Sequence, residues 1–302
     1  MDMPVEIQRI HTPALEIAYE TRGDPGGFPI ILLHGFPDDV RAWDEVGAPL
    51  AVAGHRALVP YLRGYGPTRF LDPAAPRMAQ QAAIGQDLLD FMDALGLPRA
   101  ALAGYDWGGR TACIVSILAP HRVRALVTIC GYNVQNTIRP SRPSSAVEER
   151  AHWYQWYFNM ERGRAGLETN RRDICRLLWS EWSPGWRFDD ATFERTAASF
   201  DNPDFVDVVI HSYRHRHGNA PGDPRFDSME RRLAGRPPIV VPSIVLHGAD
   251  DTVAPPYRSE RDMALFPAGT ERRVVAGAGH LLPREQPKAV ADAILQLLEH
   301  GG

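Results

Sequence analysis

The chain has 302 residues, 44% of them hydrophobic and 23% charged, enough to bury one large core and carry an inserted subdomain. A net charge of −4 and an isoelectric point near 6.3 leave no electrostatic footprint for nucleic acid or an anionic membrane. Cys113, Cys130 and Cys175 are too far apart for a disulfide framework or zinc site, residues 1–6 lack a signal-peptide pattern, and no apolar run approaches the ~20 residues of a bilayer span, so a cytoplasmic protein is expected.

In chain order, residues 6–10 and 14–21 read as strands of an antiparallel edge, followed by the turn Gly23-Asp24-Pro25-Gly26-Gly27. Pro29–Leu33 is short and continuously apolar, as a buried central strand requires. Residues 55–60 and Ala100–Gly104 are further strands. Between them Ile84, Leu88, Leu89, Met92 and Leu95 recur at helical spacing, predicting a helix over 78–95. Residues 124–130 add another strand, and this alternation implies an α/β fold with a mostly parallel central sheet flanked by helices. From 132 to 238 the chain turns aromatic and arginine-rich with helical spacing. That segment is expected as an inserted helical cap, entered through residues 139–145 and left through Gly235-Arg236-Pro237-Pro238. Residues 1–131 and 239–302 then form the two parts of the core, the second with strands at 239–246 and Glu271–Val275 and a closing helix over 281–299.

Three motifs carry chemistry in the order nucleophile, acid, histidine. Gly104-Tyr105-Asp106-Trp107-Gly108 has the G-x-nucleophile-x-G spacing of a sharp strand-to-helix turn, with aspartate where a serine hydrolase has serine. A carboxylate can displace at saturated carbon and leave an ester on the enzyme, which directs attention to epoxides and organohalides. His247-Gly248-Ala249-Asp250-Asp251 places an acid beyond a strand; Asp251 is the preferred partner and Asp250 the competitor. His280, on the glycine turn after Glu271–Val275, would activate water when held by that acid. The turn His34-Gly35-Phe36-Pro37 would aim the Phe36 N–H at the site, where with the Trp107 N–H it makes an oxyanion hole.

With these motifs the whole chain resembles the α/β-hydrolase superfamily, in its aspartate-nucleophile branch, and is most like epoxide hydrolases. The resemblance implies two cap tyrosines donating to the epoxide oxygen. Tyr154-Gln155-Trp156-Tyr157-Phe158 and Ser212-Tyr213-Arg214 are similar to the family patterns, which assigns those roles to Tyr154 and Tyr213. Phe36, Trp107, Arg110, Gln155 and Phe158 are the expected substrate contacts. An epoxide and water are the implied partners, with no metal or organic cofactor. Arg110 is open between binding a substrate carboxylate, as in fluoroacetate-type dehalogenases, and tying down a neighbouring loop. His211, His215 and His217 have partial metal-ligand spacing, but interleaved Arg214 and Arg216 favour a solvated basic face. Tyr61 stands where relatives usually carry aspartate. A haloalkane or haloacid dehalogenase, supported by Trp107 and a cap tryptophan such as Trp153 or Trp156, is the alternative reaction; a non-catalytic binding protein on the same fold is the other.

Overall fold

The structure, a computed structural model, describes residues 6–139 and 143–299. Its strands are β1 (Ile7–His11), β2 (Leu15–Gly23), β3 (Pro29–Leu33), β4 (Arg56–Pro60), β5 (Arg69–Phe70), β6 (Ala100–Gly104), β7 (Val123–Ile129), β8 (Ser243–Gly248) and β9 (Glu271–Val275). They form one sheet in the order β1-β2-β4-β3-β6-β7-β8-β9, with β5 on β2. From β4 onward along that order every pair is parallel, while β1 and β2 are antiparallel. Parallel strands need crossovers, so helices cover both faces and the central strands are buried on both sides. β6 is buried at all five positions, and β3 at every position after Pro29.

Register brings the chemistry-bearing loops together. Leu33 pairs with Gly104, Gly104 with Thr128, Ile129 with Leu246 and Gly248 with Val275. The turns that follow β3, β6, β7, β8 and β9 therefore emerge side by side at the carboxyl edge of the sheet, where α/β folds assemble their sites.

Several boundaries move for identifiable reasons. The strand expected at 239–246 starts only at Ser243, because Pro242 cannot donate to a ladder. β7 stops at Ile129 because Cys130 takes a left-handed φ of 70°. Pro287 divides the closing helix into Leu282–Glu285 and Pro287–Glu299. The helix Gln81–Ala94 begins after the expected residue 78.

Between β7 and β8 the chain is helical: Ala146–Ala151, Trp153–Asn159, Glu161–Trp182, Asp190–Ala197, Phe205–Arg216 and Asp227–Ala234. Pro140, Ser141 and Arg142 of the expected entry linker lie outside the described residues. Asp227–Ala234 returns to the core flank. Its buried Glu230 accepts from the Ala82 N–H and Gln81 Nε2, both at 3.0 Å, at the start of Gln81–Ala94. No helix among the described residues is long and apolar enough to cross a membrane.

Candidate active site

Asp106 opens the helix Asp106–Leu118 with φ of 50°, a left-handed conformation that aspartate tolerates better than most residues. Such a turn requires glycine on either side. A Cβ on Gly104 would lie 2.5 Å from the Gly108 carbonyl carbon, and one on Gly108 would lie 2.1 Å from the Leu33 oxygen. The two glycines let strand, turn and helix close around the carboxylate.

The Phe36 N–H donates to Asp106 Oδ1 at 2.8 Å. The Trp107 N–H lies in the first helical turn, where backbone donors lack intrahelical partners. Asp106 Oδ2 faces His280 Nε2 at 3.7 Å, and His280 Nδ1 bonds Asp251 Oδ2 at 2.7 Å. The other Asp251 oxygen, Oδ1, accepts from the Val253 and Ala254 N–H groups at 3.0 and 2.8 Å. Asp250, by contrast, points to solvent. Of the two acids left open by the sequence, Asp251 is the one within reach of His280.

Burial alone would raise the Asp106 pKa, but His280, Arg110 and the Phe36 N–H outweigh it and hold the carboxyl below its usual range. Asp251 is lowered in the same way: burial opposes ionisation, and His280 overcomes it. Burial disfavours the charged form of His280, yet Asp251 and the bond to Asp106 raise its pKa well above that of free imidazole. In the resting site, therefore, an imidazolium sits between two carboxylates.

Tyr154 and Tyr213 are both buried, with ring centroids 5.4 Å apart and 6.2 and 5.5 Å from Phe36. Burial raises both phenol pKa values, so each hydroxyl keeps its proton. Gln155 Nε2 donates to the Tyr154 oxygen at 3.0 Å, which leaves the Tyr154 hydrogen to be given elsewhere. A cavity of about 720 Å³ is lined by Asp106, Arg110, Tyr154, Gln155, Arg216 and His280, among others. Tyr213, Phe36 and Trp107 pack beside these residues, Tyr213 5.4 Å from Tyr154 and Trp107 5.8 Å from Phe36 between ring centroids. Phe158 is fully buried at 5.6 and 6.1 Å from the Tyr213 and Tyr154 rings, where it supports them rather than lining the cavity.

In the histidine cluster, His211 and His215 stack with ring centroids 5.7 Å apart. His211 takes the Ala79 N–H at 2.8 Å and reaches the Pro221 carbonyl at 2.9 Å, while His217 bonds Gln155 Oε1 at 3.2 Å. Tyr61 donates to buried Glu20 at 3.0 Å, which gives its departure from the usual aspartate a structural use. Of the tryptophans weighed for halide binding, Trp153 spends its N–H on Glu181 at 2.9 Å and Trp156 is partly exposed.

Three residues to which the sequence reading gave no site role enter the site. Trp182 packs 5.0 Å from Tyr154 and 5.2 Å from His280, with its indole N–H buried and unpartnered. Cys130 Sγ lies 3.3 Å from Asp251 Oδ2 and 3.6 Å from His280 Nδ1, its thiol pushed up to about 12 by burial first and by Asp251 second. Arg216 lines the cavity from the end of Phe205–Arg216. The sequence reading met Arg216 only as a charge interleaved with His211, His215 and His217 on an expected solvated face, and nothing local marks the other two as site residues.

The chain belongs to the α/β-hydrolase fold family, whose model matches residues 29–287. Its relatives narrow the class. It is 28% identical to "Epoxide hydrolase A" of Mycobacterium tuberculosis, over 99% of this chain and 98% of that protein. It is 41% identical, with a TM-score of 0.93 and 97% of each chain covered, to a Klebsiella pneumoniae crystal structure provisionally described as an epoxide hydrolase. A structure from work on novel epoxide hydrolases in hot-environment metagenomes shares the fold, with a TM-score of 0.77 at 22% identity over 98% of this chain and 99% of that one.

Proposed function

We propose that this enzyme adds water to epoxides, giving vicinal diols through an ester on Asp106. The observation that carries the reading is the Asp106 carboxylate itself. It has one oxygen held by the Phe36 N–H and the other turned toward His280, beneath two protonated phenols. Asp106 Oδ2 attacks one epoxide carbon and the carbon–oxygen bond breaks. Tyr154 and Tyr213 stabilise the developing alkoxide and supply its proton, and the phenolate so formed is reprotonated from the His280 imidazolium, which leaves Nε2 free. Water then attacks the Asp106 carbonyl carbon as His280 Nε2 takes its proton. The Phe36 and Trp107 N–H groups hold the tetrahedral oxyanion, collapse expels the diol as His280 returns the proton, and the acid left on Asp106 gives its own proton to His280, restoring the resting pair. Asp251 keeps the imidazole oriented throughout.

Dehalogenation is the second reading. The buried, unpartnered indole N–H groups of Trp107 and Trp182 favour it, since such donors could hold a departing halide. His280→Gln should form the ester without hydrolysing it, so its intact mass after exposure to epoxides and organohalides separates the two. A gain of one whole epoxide on Asp106 supports the proposal. A gain of the halide substrate less hydrogen halide, with none from epoxides, replaces it by dehalogenation.

A further inference from the structure

Arg216 is a half-buried guanidinium with no hydrogen bond or carboxylate partner among the described residues, and its Nη2 is buried and unsatisfied. Its guanidinium lies over the Tyr213 ring, with the guanidinium carbon 4.8 Å from the centroid. Arg110, on the same cavity wall, is 8% exposed and uses only Nε, donating to the Asn133 carbonyl at 3.1 Å. No acid lies within ion-pair distance of it either. A buried charge normally has a partner, because stripping its hydration without compensation costs several kcal/mol.

The remaining cavity charges do not supply one. Arg258 is paired with Glu148 at 2.8 Å, and Arg236 and Arg261 share Asp262 at 2.7 and 3.5 Å. Glu149 is turned to the Ser144 N–H at 2.7 Å. Five arginines thus face three acids on this wall: Asp106, Glu149 and Asp262. The nearest anion in the electrostatics of Arg110 is the nucleophile, and neighbouring Arg216, after burial, is what lowers its pKa to about 10, still charged at neutral pH.

We propose that Arg110 and Arg216 form an oxyanion subsite, and that the substrate is a small epoxide bearing a carboxylate or phosphonate, the anion seated between the two guanidiniums. The inference rests on epoxide hydrolysis as the reaction. It resolves an electrostatic conflict: an anionic substrate approaching ionised Asp106 is repelled unless cations on the same wall offset the repulsion. It also uses the fork geometry in which guanidinium groups take oxyanions bidentately.

The test compares kcat/KM for short epoxy-carboxylic acids against their primary amides, and for an epoxy-phosphonate against its dimethyl ester. The Asp106→Asn protein separately measures calorimetric binding of the product diol-acid against its amide. The expected result is an anion preference of about 10–100-fold, the range of one or two charge-assisted hydrogen bonds. It should collapse toward unity in Arg216→Gln and Arg110→Gln and return in part in Arg216→Lys. Preference for the carboxylate pair alone or the phosphonate pair alone identifies which oxyanion the subsite takes. Equal or better use of the neutral compounds overturns the subsite and leaves epoxide hydrolysis standing. An anion preference untouched by either glutamine variant also overturns it. If no epoxide is turned over but the Asp106→Asn protein still selects the diol-acid, the reaction is wrong and the subsite stands.

Discussion

Two buried polar clusters flank the Asp106 turn, and they differ in how completely they are satisfied. On one side, Asp38 accepts from Tyr105 Oη at 2.6 Å and Arg284 Nε at 2.8 Å. Asp39 accepts from Ser199 and Thr196 at 2.6 and 3.0 Å, and the Arg284 guanidinium stacks on Trp179 with its carbon 4.6 Å from the ring centroid. The loop after β3 is thereby tied to the helical excursion that carries Thr196 and Ser199. On the other side, the Trp107 and Trp182 indole N–H groups and Arg216 Nη2 are buried without hydrogen-bond partners among the described residues, and His280 Nε2 stands 3.7 Å from Asp106 Oδ2. The first cluster is complete within the protein and holds the excursion over the sheet. The second leaves hydrogen-bond donors unused among the described residues.

Breaking each cluster should therefore have different consequences. Asp106→Asn keeps a side chain that tolerates the left-handed turn, and steady-state turnover should fall about 10⁴-fold or more with the melting temperature held or raised. Arg284→Met strands buried Asp38 and should cost about 3–5 kcal/mol in denaturant unfolding, with activity per folded molecule largely kept. If turnover collapses while stability is unchanged, the two clusters are not divided as described. Tyr154→Phe and Tyr213→Phe should each lower the single-turnover rate of ester formation about 10²–10³-fold and leave hydrolysis of the preformed ester little changed.

A pH experiment sharpens the first cluster. Burial, and after it the Asp38 charge, push the Asp39 pKa up to about 7. A carboxyl with a raised folded pKa contributes stability that is present at low pH and is lost as pH rises from its unfolded value toward about 7. Asp39→Asn should flatten that decline, read as melting temperature between acid and neutral pH; an unchanged slope would assign the decline to another group. The smallest effect is expected at Cys130, which donates to Asp251. Cys130→Ala should reduce kcat by less than about tenfold and move the acidic limb of the ester-hydrolysis profile upward, because Asp251, less shielded, holds the His280 proton more tightly.

The expected strands at 29–33, 100–104 and 271–275 were legible because apolar runs bounded by turn residues leave few alternatives at those lengths. The elbow was legible for a related reason: glycine at 104 and 108 records a steric demand that acts between near neighbours in the chain. His280 and Asp251 were legible as candidates, but Asp250 could not be set aside until β8 and β9 fixed which carboxylate faced the imidazole. Arg110 is a sharper case. Its place four residues after Asp106 is in the sequence, whereas its lack of any acidic partner is a property of the whole cavity wall.

The sequence by itself determined the elements, their alternation around a parallel sheet and the aspartate at the sharp strand-to-helix turn, because these follow from periodicity and from short-range sterics. Tertiary structure alone decided which acid meets His280, that Cys130 and Trp182 join the site, that Phe158 supports the two tyrosines, and that Arg216 and Arg110 line one cavity with no ion pair to either among the described residues. Those facts depend on contacts between segments from tens of residues to well over a hundred apart, as in the bond between Cys130 and Asp251. Burial and pairing at such separations are set by how the helical excursion settles on the sheet, and no local pattern encodes them.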